Sequence, residues 1–147
     1  MPKNKKVKIE RKGINKTLIP KEEVQTDHLN MLFSFKYFDY EWDYSFKHIS
    51  NDKNRVERLL KHLVEFSSCT WNEFKQNKKH HHTCKLEKFT KKARDRFEYR
   101  NYQDVNDDEL FSLSLCNKER IYGIRTGRIL NVIWYDKNHE LYKSNKN

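Results

Sequence analysis

The stretch LFSLSLCNKERIYGIRTGRILNVIWY, residues 110–135, decides the fold of this chain. It contains three largely apolar runs, at 110–116, 120–124 and 128–135, and only short polar links separate them. In the second link, Gly127 stands where a three-residue hairpin loop needs a left-handed backbone. Runs of this composition joined by such short links predict three antiparallel strands in a meander.

The last strand of the meander is predicted to lie inside the sheet, because apolar side chains occupy both of its faces. They are Leu130, Val132 and Trp134 on one face and Ile129, Ile133 and Tyr135 on the other. A strand that is apolar on both faces has to be covered on both. In the strand before it, Gly123 indicates a bulge or a close approach of another backbone.

The residues before the meander add one strand and several helices. MLFSFKYF, residues 31–38, alternates apolar side chains on one face, which predicts a strand. Apolar residues recur at helical spacing over 56–64, with Asn51 or Asp52 as the N-cap, and residues 70–73 fit a capping box that starts a short helix. A third helix is predicted over about 85–99. The expected fold is α+β: an N-terminal strand, two or three helices and then the meander, with the helices on one face of the sheet.

Length and composition predict one domain preceded by an arm. A chain of 147 residues can build a single core without disulfide or metal staples. Residues 1–28 hold both prolines of the chain and no aromatic residue, so we expect a flexible basic arm there and a single domain over 29–147.

Charge and cysteine content limit the class of partner and the compartment. The formal net charge of +10 favours anionic partners, nucleic acid first, although a lysine-rich composition alone would also produce it. Three widely spaced cysteines without a C-x-x-C pair indicate a reducing compartment. Because no signal-peptide pattern and no apolar run of membrane-spanning length occurs, we expect a cytoplasmic protein that does not use a membrane.

A basic segment is the first candidate site. On a helix over 85–99, four cations would form one line beside the apolar stripe: Lys85, Lys88, Lys92 and Arg96. Such a line can follow a phosphate backbone. The alternative is an ordinary solvated helix face.

The run His80-His81-His82, followed by Cys84, is the second candidate. If a helix began early, His80 and Cys84 would share a face and could bind a metal, but no second ligand pair with matching spacing exists. A surface histidine cluster in a polar loop is one alternative, and a catalytic imidazole, taken as His82, is another. We therefore predict no metal site and no cofactor.

The third candidate combines the hairpin with the turn that follows it. Arg120, Arg125 and Arg128 stand at the ends and the tip of the hairpin, and guanidinium groups match phosphate geometry. Directly after the last strand come Asp136 and His139. An aspartate can close such a turn by itself, whereas a turn does not need an imidazole.

The C-terminal stretch IYGIRTGRILNVIWYDKNHELY resembles the ending of a small, poorly characterised family from Gram-positive bacteria and their mobile elements. That family resembles this chain in pairing FSFKYFDY near the start with a closing strand and the pattern W-Y-D-x-x-H-x-L-Y. The resemblance covers about residues 31–142 and implies no known activity. Lys137 departs from it, because a proline is expected after the aspartate.

The order of strand, helices and meander, with basic residues and histidines on late strands, is also similar to RelE- and barnase-type metal-independent ribonucleases. This similarity implies a nucleic-acid-binding protein, with RNA as the expected ligand, that could be an endoribonuclease of toxin or phage-defence type. The candidate catalytic residues are His139, His82, Arg125, Arg128 and Asp136. The candidate nucleic-acid-binding residues are Lys85, Lys88, Lys92, Arg96, Arg120 and Tyr135, the last by stacking on a base.

Two other function classes stay open. One is a non-catalytic module that binds nucleic acid. The other is an adaptor or inhibitor that binds a protein partner, such as an antitoxin or a larger defence or phage assembly, through an aromatic surface. The aromatic residues of that surface would be Tyr37, Phe38, Tyr40, Trp42, Tyr44 and Phe46.

Overall fold

The computed structural model describes residues 25–104 and 109–143. Its strands and helices are β1 (Leu32–Ser34), α1 (Lys53–Phe66), α2 (Trp71–Gln76), β2 (His81–Cys84), α3 (Lys91–Tyr99), β3 (Glu109–Ser114), β4 (Arg120–Thr126) and β5 (Ile129–Asp136). Short 3-10 helices occur at Gln25–His28, Phe46–Ile49, Leu86–Lys88 and Tyr102–Asp104. The predicted α+β class is confirmed. No helix within these two ranges is long and apolar enough to cross a membrane.

The strands form one mixed sheet in the order β1-β5-β4-β3-β2. β3, β4 and β5 are the predicted antiparallel meander, and β1 runs parallel to β5. β5 therefore has a neighbour on each side, and Leu130, Val132 and Trp134 are fully buried. Its predicted internal position is confirmed, but the predicted faces are wrong, because the bulge opposite Tyr122 and Gly123 puts Trp134 in a different core from Leu130 and Val132.

β2 is a strand that the sequence analysis did not predict. Its four residues, HHTC, were expected in a polar loop, yet they pair antiparallel with β3 from His81, opposite Leu113, to Cys84, opposite Leu110. The segment has little strand propensity of its own, so pairing with β3 determines its conformation. β1, in contrast, covers only three of the eight residues predicted for it.

The third helix begins at Lys91, six residues later than predicted. Phe89 is extended and fully buried, and it forms an isolated β-bridge with Tyr142. The next residue, Thr90, donates its backbone N–H to the carbonyl of Leu141 at 2.8 Å. Contacts with the C-terminal segment therefore replace the first turn and a half of the predicted helix.

Helices cover the sheet on both faces. The adjacent residues Trp134 and Tyr135 point to opposite faces, as neighbours in a strand do. Tyr135 lies in a core with Leu59 of α1 and Trp71 of α2, whereas Trp134 lies in a second core with Phe97 of α3. The prediction of helices on one face thus holds for α1 and α2, and α3 packs on the other face.

The predicted helix starts are confirmed by their capping bonds. The Asp52 carboxylate accepts from the backbone N–H of Arg55 at the start of α1. At the start of α2, Thr70 and Glu73 form both bonds of the capping box, at 3.2 and 2.9 Å.

Two glycines shape the hairpin of β4 and β5. The link is a two-residue turn rather than the three-residue loop predicted, and Gly127 takes the left-handed φ of 63° that this turn requires. The pairing register shifts between Tyr122 and Gly123, which confirms the bulge. A Cβ at Gly123 would lie 2.7 Å from Cγ of Leu130, so the close approach is confirmed as well.

The predicted arm meets the domain through Asp27. Its carboxylate pairs with Lys75 at 2.9 Å and with Arg125 at 2.5 Å, which fixes the 3-10 helix Gln25–His28 on the domain. Residues 25–28, which were expected in the arm, therefore contact the domain. Residues 1–24 lie outside the described residues.

Candidate functional site

One end of the sheet gathers several of the predicted site residues. Arg120, the first residue of β4, pairs with Asp136, the last residue of β5, and β2 begins beside the end of β3. His82, Ser112 and Tyr122 are successive partners across three strands, so their side chains share one face of the sheet. This is the face that α3 covers, because Tyr122 belongs to the same core as Phe97.

The turn after β5 folds back over that face and carries His139. The Asp136 carboxylate accepts from the backbone N–H groups of Glu140 and Leu141 at 2.9 and 2.8 Å, and from the Tyr122 hydroxyl at 3.3 Å. Asp136 is fully buried, and these three donors occupy its oxygens. The prediction of Asp136 as a catalytic residue is therefore wrong: it holds the turn in position.

His139 is half-buried at a left-handed φ of 58°. Burial lowers its pKa below the usual range, and repulsion from Arg120, His82 and Lys118 adds to the effect, against an opposing attraction from Asp136. Its imidazole is therefore neutral at pH 7 and close to all three of these cationic or imidazole groups. The ring makes no hydrogen bond with the described part of the chain, so both of its nitrogens can take a ligand.

His82 also presents a free ring nitrogen. Its Nδ1 lies 2.9 Å from the carbonyl oxygen of Thr83, and because a carbonyl can only accept, Nδ1 carries the proton of the neutral ring. Nε2 is then the basic nitrogen. The side chain is half-exposed, so Nε2 is open to a ligand.

Arg120 lies near His139 and also near the core residue His81, since its charge lowers the pKa of both. Nη1 donates to the carbonyls of Asn117 and Glu119, at 2.9 Å each, and this orients the guanidinium. No carboxylate within residues 25–104 and 109–143 pairs with it. We call His82, Arg120 and His139 the His–Arg cluster. Lys118, which the sequence analysis did not single out, is exposed beside it.

Arg125 and Arg128 do not belong to this cluster. Arg125 lies five residues along β4 from Arg120, roughly 17 Å at the rise of a strand. It is buried, pairs with Asp27 and stacks on the ring of Trp71 at 3.9 Å. Arg128 donates Nε to the carbonyl of Asn30 at the same far end of the sheet. Their predicted catalytic role beside His139 is wrong, because both hold the domain together at the opposite end.

Tyr135 cannot stack on a base, as was predicted, because its side chain is buried. Its hydroxyl donates to Glu119, which also accepts from Nη1 of Arg55 at 2.7 Å. Burial raises the pKa of Tyr135, and the hydrogen bond to the Glu119 carboxylate raises it further. The residue thus belongs to the core on the α1 side.

The predicted cationic line does not form along one helix. Lys85 and Lys88 precede α3, in an extended residue and a 3-10 helix. On α3, Nζ of Lys92 donates to the hydroxyl of Tyr44 at 2.6 Å. Arg96 donates through Nε and Nη2 to the buried carboxylate of Asp39 at 2.7 and 2.9 Å. Both cations on α3 are held by other side chains of the protein, although Lys92 itself is exposed, so their prediction as a phosphate-binding line is wrong.

The metal alternative also fails at the predicted pair. His80 and Cys84 lie along extended backbone, roughly 13 Å apart, rather than one helical turn apart. Burial raises the pKa of the Cys84 thiol to about 12, which keeps it protonated. Within the described ranges, no three His, Cys, Asp or Glu side chains are grouped so that they could hold a metal ion.

His81 is a core residue, not a member of a surface cluster. It is 9% exposed, its ring meets Phe66 and Phe74 edge-on, and Nδ1 accepts from the backbone N–H of Ser114 at 3.2 Å. Burial lowers its pKa to about 4, helped by repulsion from the flanking histidines. The folded protein thus holds a neutral imidazole at this position.

We expect the protein to lose stability as the pH falls from 6.5 to 4, because of His81. Between these pH values the imidazole of His81 is protonated in the unfolded chain and neutral in the folded protein, so the unfolded state binds more protons. A pKa lowered from 6.5 to about 4 corresponds to about 3 kcal/mol. Urea unfolding at several pH values measures the effect. His81→Gln should flatten the pH dependence, whereas the exposed control His80→Gln should keep it; a His81→Gln variant with unchanged pH dependence would refute the assignment.

A polar cavity of about 390 Å³ lies at the turn that follows β5. The residues that line it include Asp43, Tyr44, His48, Lys137, Asn138 and Glu140. The turn that carries His139 therefore forms a wall of this cavity as well. Of these residues, only Tyr44 was predicted for a functional surface, and that was the aromatic protein-binding one.

An apolar groove of about 670 Å³ lies between α1 and the segment 35–46. Its lining residues include Phe35, Phe38, Tyr40, Phe46, Leu59 and Leu60. Of the predicted aromatic surface, Tyr40 is 57% exposed and the other five residues are partly buried. The aromatic segment thus serves the core and also leaves part of its surface open.

No protein family, curated protein or solved structure matches this chain when it is compared with known proteins. The functional assignment therefore has to come from the geometry of the chain's own residues.

Proposed function

We propose that the protein binds RNA at the His–Arg cluster and cleaves it without a metal ion. The observation that supports this most strongly is the meeting of His82, Arg120 and His139 at one end and on one face of the sheet, beside Lys118. Two imidazoles with free nitrogens, next to cations that no carboxylate of the described residues pairs with, form a surface that attracts a phosphate group.

The same groups match the needs of phosphodiester cleavage by a neighbouring hydroxyl. His139, neutral at pH 7, takes the proton of the 2′-hydroxyl, and the 2′-oxygen attacks the phosphorus. In the acid form of His82, Nε2 gives its proton to the 5′-oxygen as the P–O5′ bond breaks. Arg120 stabilises the additional negative charge on the phosphorane. The products are a 2′,3′-cyclic phosphate and a free 5′-hydroxyl, so the substrate is RNA rather than DNA.

Arg120→Ala should weaken the binding of single-stranded RNA roughly ten- to a hundredfold, because a charge-assisted hydrogen bond to phosphate is lost. It should also reduce the dependence of log K on log salt by roughly 0.7 for one lost phosphate contact. Fluorescence anisotropy at several salt concentrations measures both quantities.

The matched control for Arg120→Ala is Arg58→Ala. Arg58 is an exposed cation on α1, on the other side of the sheet, so its loss should leave the affinity and the salt slope nearly unchanged. Equal effects of the two substitutions would show that RNA binding depends only on the net charge of the protein, and the proposal would then fail.

The apolar groove favours a second candidate function, the binding of a protein partner. Tyr40 and Leu60 at this groove are more than half exposed, and exposed aromatic and aliphatic side chains around a cavity are typical of protein interfaces. Leu60→Ser separates the two functions. Under the RNA proposal it leaves RNA binding unchanged, whereas under the alternative it removes the protein's cellular activity.

A further inference from the structure

The link between β3 and β4, residues 115–119, holds the side chain of Arg120 through its backbone. Nη1 of Arg120 donates to the carbonyl oxygens of Asn117 and Glu119 at 2.9 Å each, whereas Nε and Nη2 make no hydrogen bond with the described residues. The carbonyl of Glu119 also accepts from the backbone N–H of Leu115 at 2.9 Å. The position of the guanidinium therefore depends on the shape of this short link.

The link contains a tight turn with one left-handed residue. The backbone N–H of Glu119 donates to the carbonyl of Cys116 at 3.0 Å, and Asn117 between them has a φ of 54°. Asparagine tolerates this conformation better than most residues, but it is still a sparsely populated one. Contacts from outside the turn are therefore needed to fix it in a single shape.

The side chain of Glu119 supplies such contacts, on the face of the sheet opposite to that of Arg120. Arg120 and Tyr122 are alternate residues of β4, so both side chains point to the face that α3 covers. Glu119 is 3% exposed, and its carboxylate accepts from Nη1 of Arg55 at 2.7 Å and from the hydroxyl of Tyr135. One residue thus offers its carboxylate to α1 on one face and its carbonyl to Arg120.

A buried carboxylate of this kind has little freedom to move. Its charge is tolerated in the core only while the paired cation and the other hydrogen-bond donor stay in contact with it. Arg55 comes from α1 and Tyr135 from β5, so two elements outside the link hold the carboxylate. The hydrogen bond to Glu119 is also the main cause that raises the pKa of Arg55, so its guanidinium keeps its charge.

We propose that Glu119 is a positioning residue of the His–Arg cluster: its buried ion pair with Arg55 fixes the link between β3 and β4 and thereby orients the guanidinium of Arg120 toward the bound phosphate. This inference rests on the proposed RNA function, because it concerns how the phosphate-binding group of that site is held. A side chain that is ordered before binding spares the complex the entropy cost of ordering it.

The first test needs no RNA and measures the pKa of His139 by NMR in the full-length protein. The charge of Arg120 lowers this pKa, so Arg120→Ala should raise it. Glu119→Gln should raise it by at least half as much, because the released guanidinium moves away from the ring and into solvent. The sign of the change is informative, since the loss of a negative charge by itself would lower the pKa of a histidine.

The matched control is Asp39→Asn, which also removes the charge of a buried carboxylate that an arginine holds. It should not raise the pKa of His139, and this separates the release of Arg120 from a general loss of stability. If Glu119→Gln does not fold, Tyr135→Phe takes its place, because it removes one hydrogen bond to Glu119 and keeps both charges of the ion pair. An unchanged or lowered pKa of His139 in the variant that folds would overturn the inference.

RNA binding separates this inference from the proposed function. Glu119→Gln should weaken the binding of single-stranded RNA roughly two- to tenfold, the cost of ordering one flexible side chain, although loss of a negative charge alone would strengthen it. Combined with Arg120→Ala it should have no further effect, because it acts through Arg120. A full additional effect in the combined variant would overturn the inference. A raised pKa of His139, with RNA affinity unaffected by either substitution, would support the positioning of Arg120 and contradict the RNA proposal.

Discussion

Replacing Asp39 by alanine should lower the free energy of unfolding by about 3 kcal/mol or more, the loss expected when one partner of a buried ion pair is removed. The Asp39 carboxylate is fully buried and accepts two hydrogen bonds from Arg96, at 2.7 and 2.9 Å. Arg100 approaches it to 3.4 Å. Both arginines keep some solvent access, so we expect the loss at the lower end of the 3–5 kcal/mol range.

Urea unfolding measures this loss, with Asp95→Ala as the matched control. Asp95 pairs with Lys91 at 2.9 Å on the same helix, but the two side chains are 63% and 79% exposed. An exposed pair of this kind contributes about 0.5 kcal/mol or less. If Asp39→Ala cost no more than Asp95→Ala, Arg96 would be available to bind phosphate, as the sequence pattern had indicated.

The largest functional effect is expected at His139. Exchange for asparagine should reduce RNA cleavage about 10²- to 10⁴-fold, the usual contribution of a general base. Stability should change by less than about 1 kcal/mol, because the half-buried ring makes no hydrogen bond with the described part of the chain. Asparagine is preferable to alanine here, since it tolerates the left-handed φ of 58°.

Cleavage is measured with RNA of defined sequence in the presence of a metal chelator, and unfolding is measured on the same purified variant. His28→Asn is the control, because His28 is exposed on the 3-10 helix at the far end of the sheet. A stable His139→Asn protein that cleaves as fast as the parent would exclude His139 as the base. Loss of cleavage together with a large loss of stability would assign it a structural role instead.

The features that the sequence predicted correctly are those that local patterns determine. The apolar residues on both faces of β5 fix its internal position, and the capping residues fix the starts of α1 and α2. Gly123 marks the bulge because Leu130 leaves no room for a side chain. Each of these signals operates within a few residues of the element that it specifies.

The errors arose where a distant part of the chain decides the structure. β2 is a strand because β3 lies beside it, and α3 starts late because Phe89 pairs with Tyr142. Arg96 was predicted to be free because the sequence around it gives no sign of its ion-pair partner, Asp39, which lies 57 residues away. These partners are set by tertiary packing, which overrides local propensity.

The separation of the hairpin arginines could have been predicted. In an antiparallel hairpin with its turn at Gly127, residues at the turn and residues at the strand ends lie at opposite ends of the sheet. Arg125 and Arg128 flank that turn, whereas Arg120 pairs with Asp136 just before the segment that carries His139. Counting residues outward from Gly127 along the two strands would have placed Arg120, and neither Arg125 nor Arg128, at the end of the sheet that carries His139.

The most direct test of the RNA site is the pKa of His139, followed by NMR of the histidine ring protons with and without saturating RNA that cannot be cleaved. In the free protein this pKa lies below the usual value, because of burial and of the cations around the ring. A phosphate bound at the His–Arg cluster adds negative charge close to the ring, so RNA should raise the pKa of His139 and shift the signals of His82. The signals of His28, at the far end of the sheet, should not move. If RNA saturates the protein and leaves the pKa of His139 and the signals of His82 unchanged, the His–Arg cluster is not where it binds.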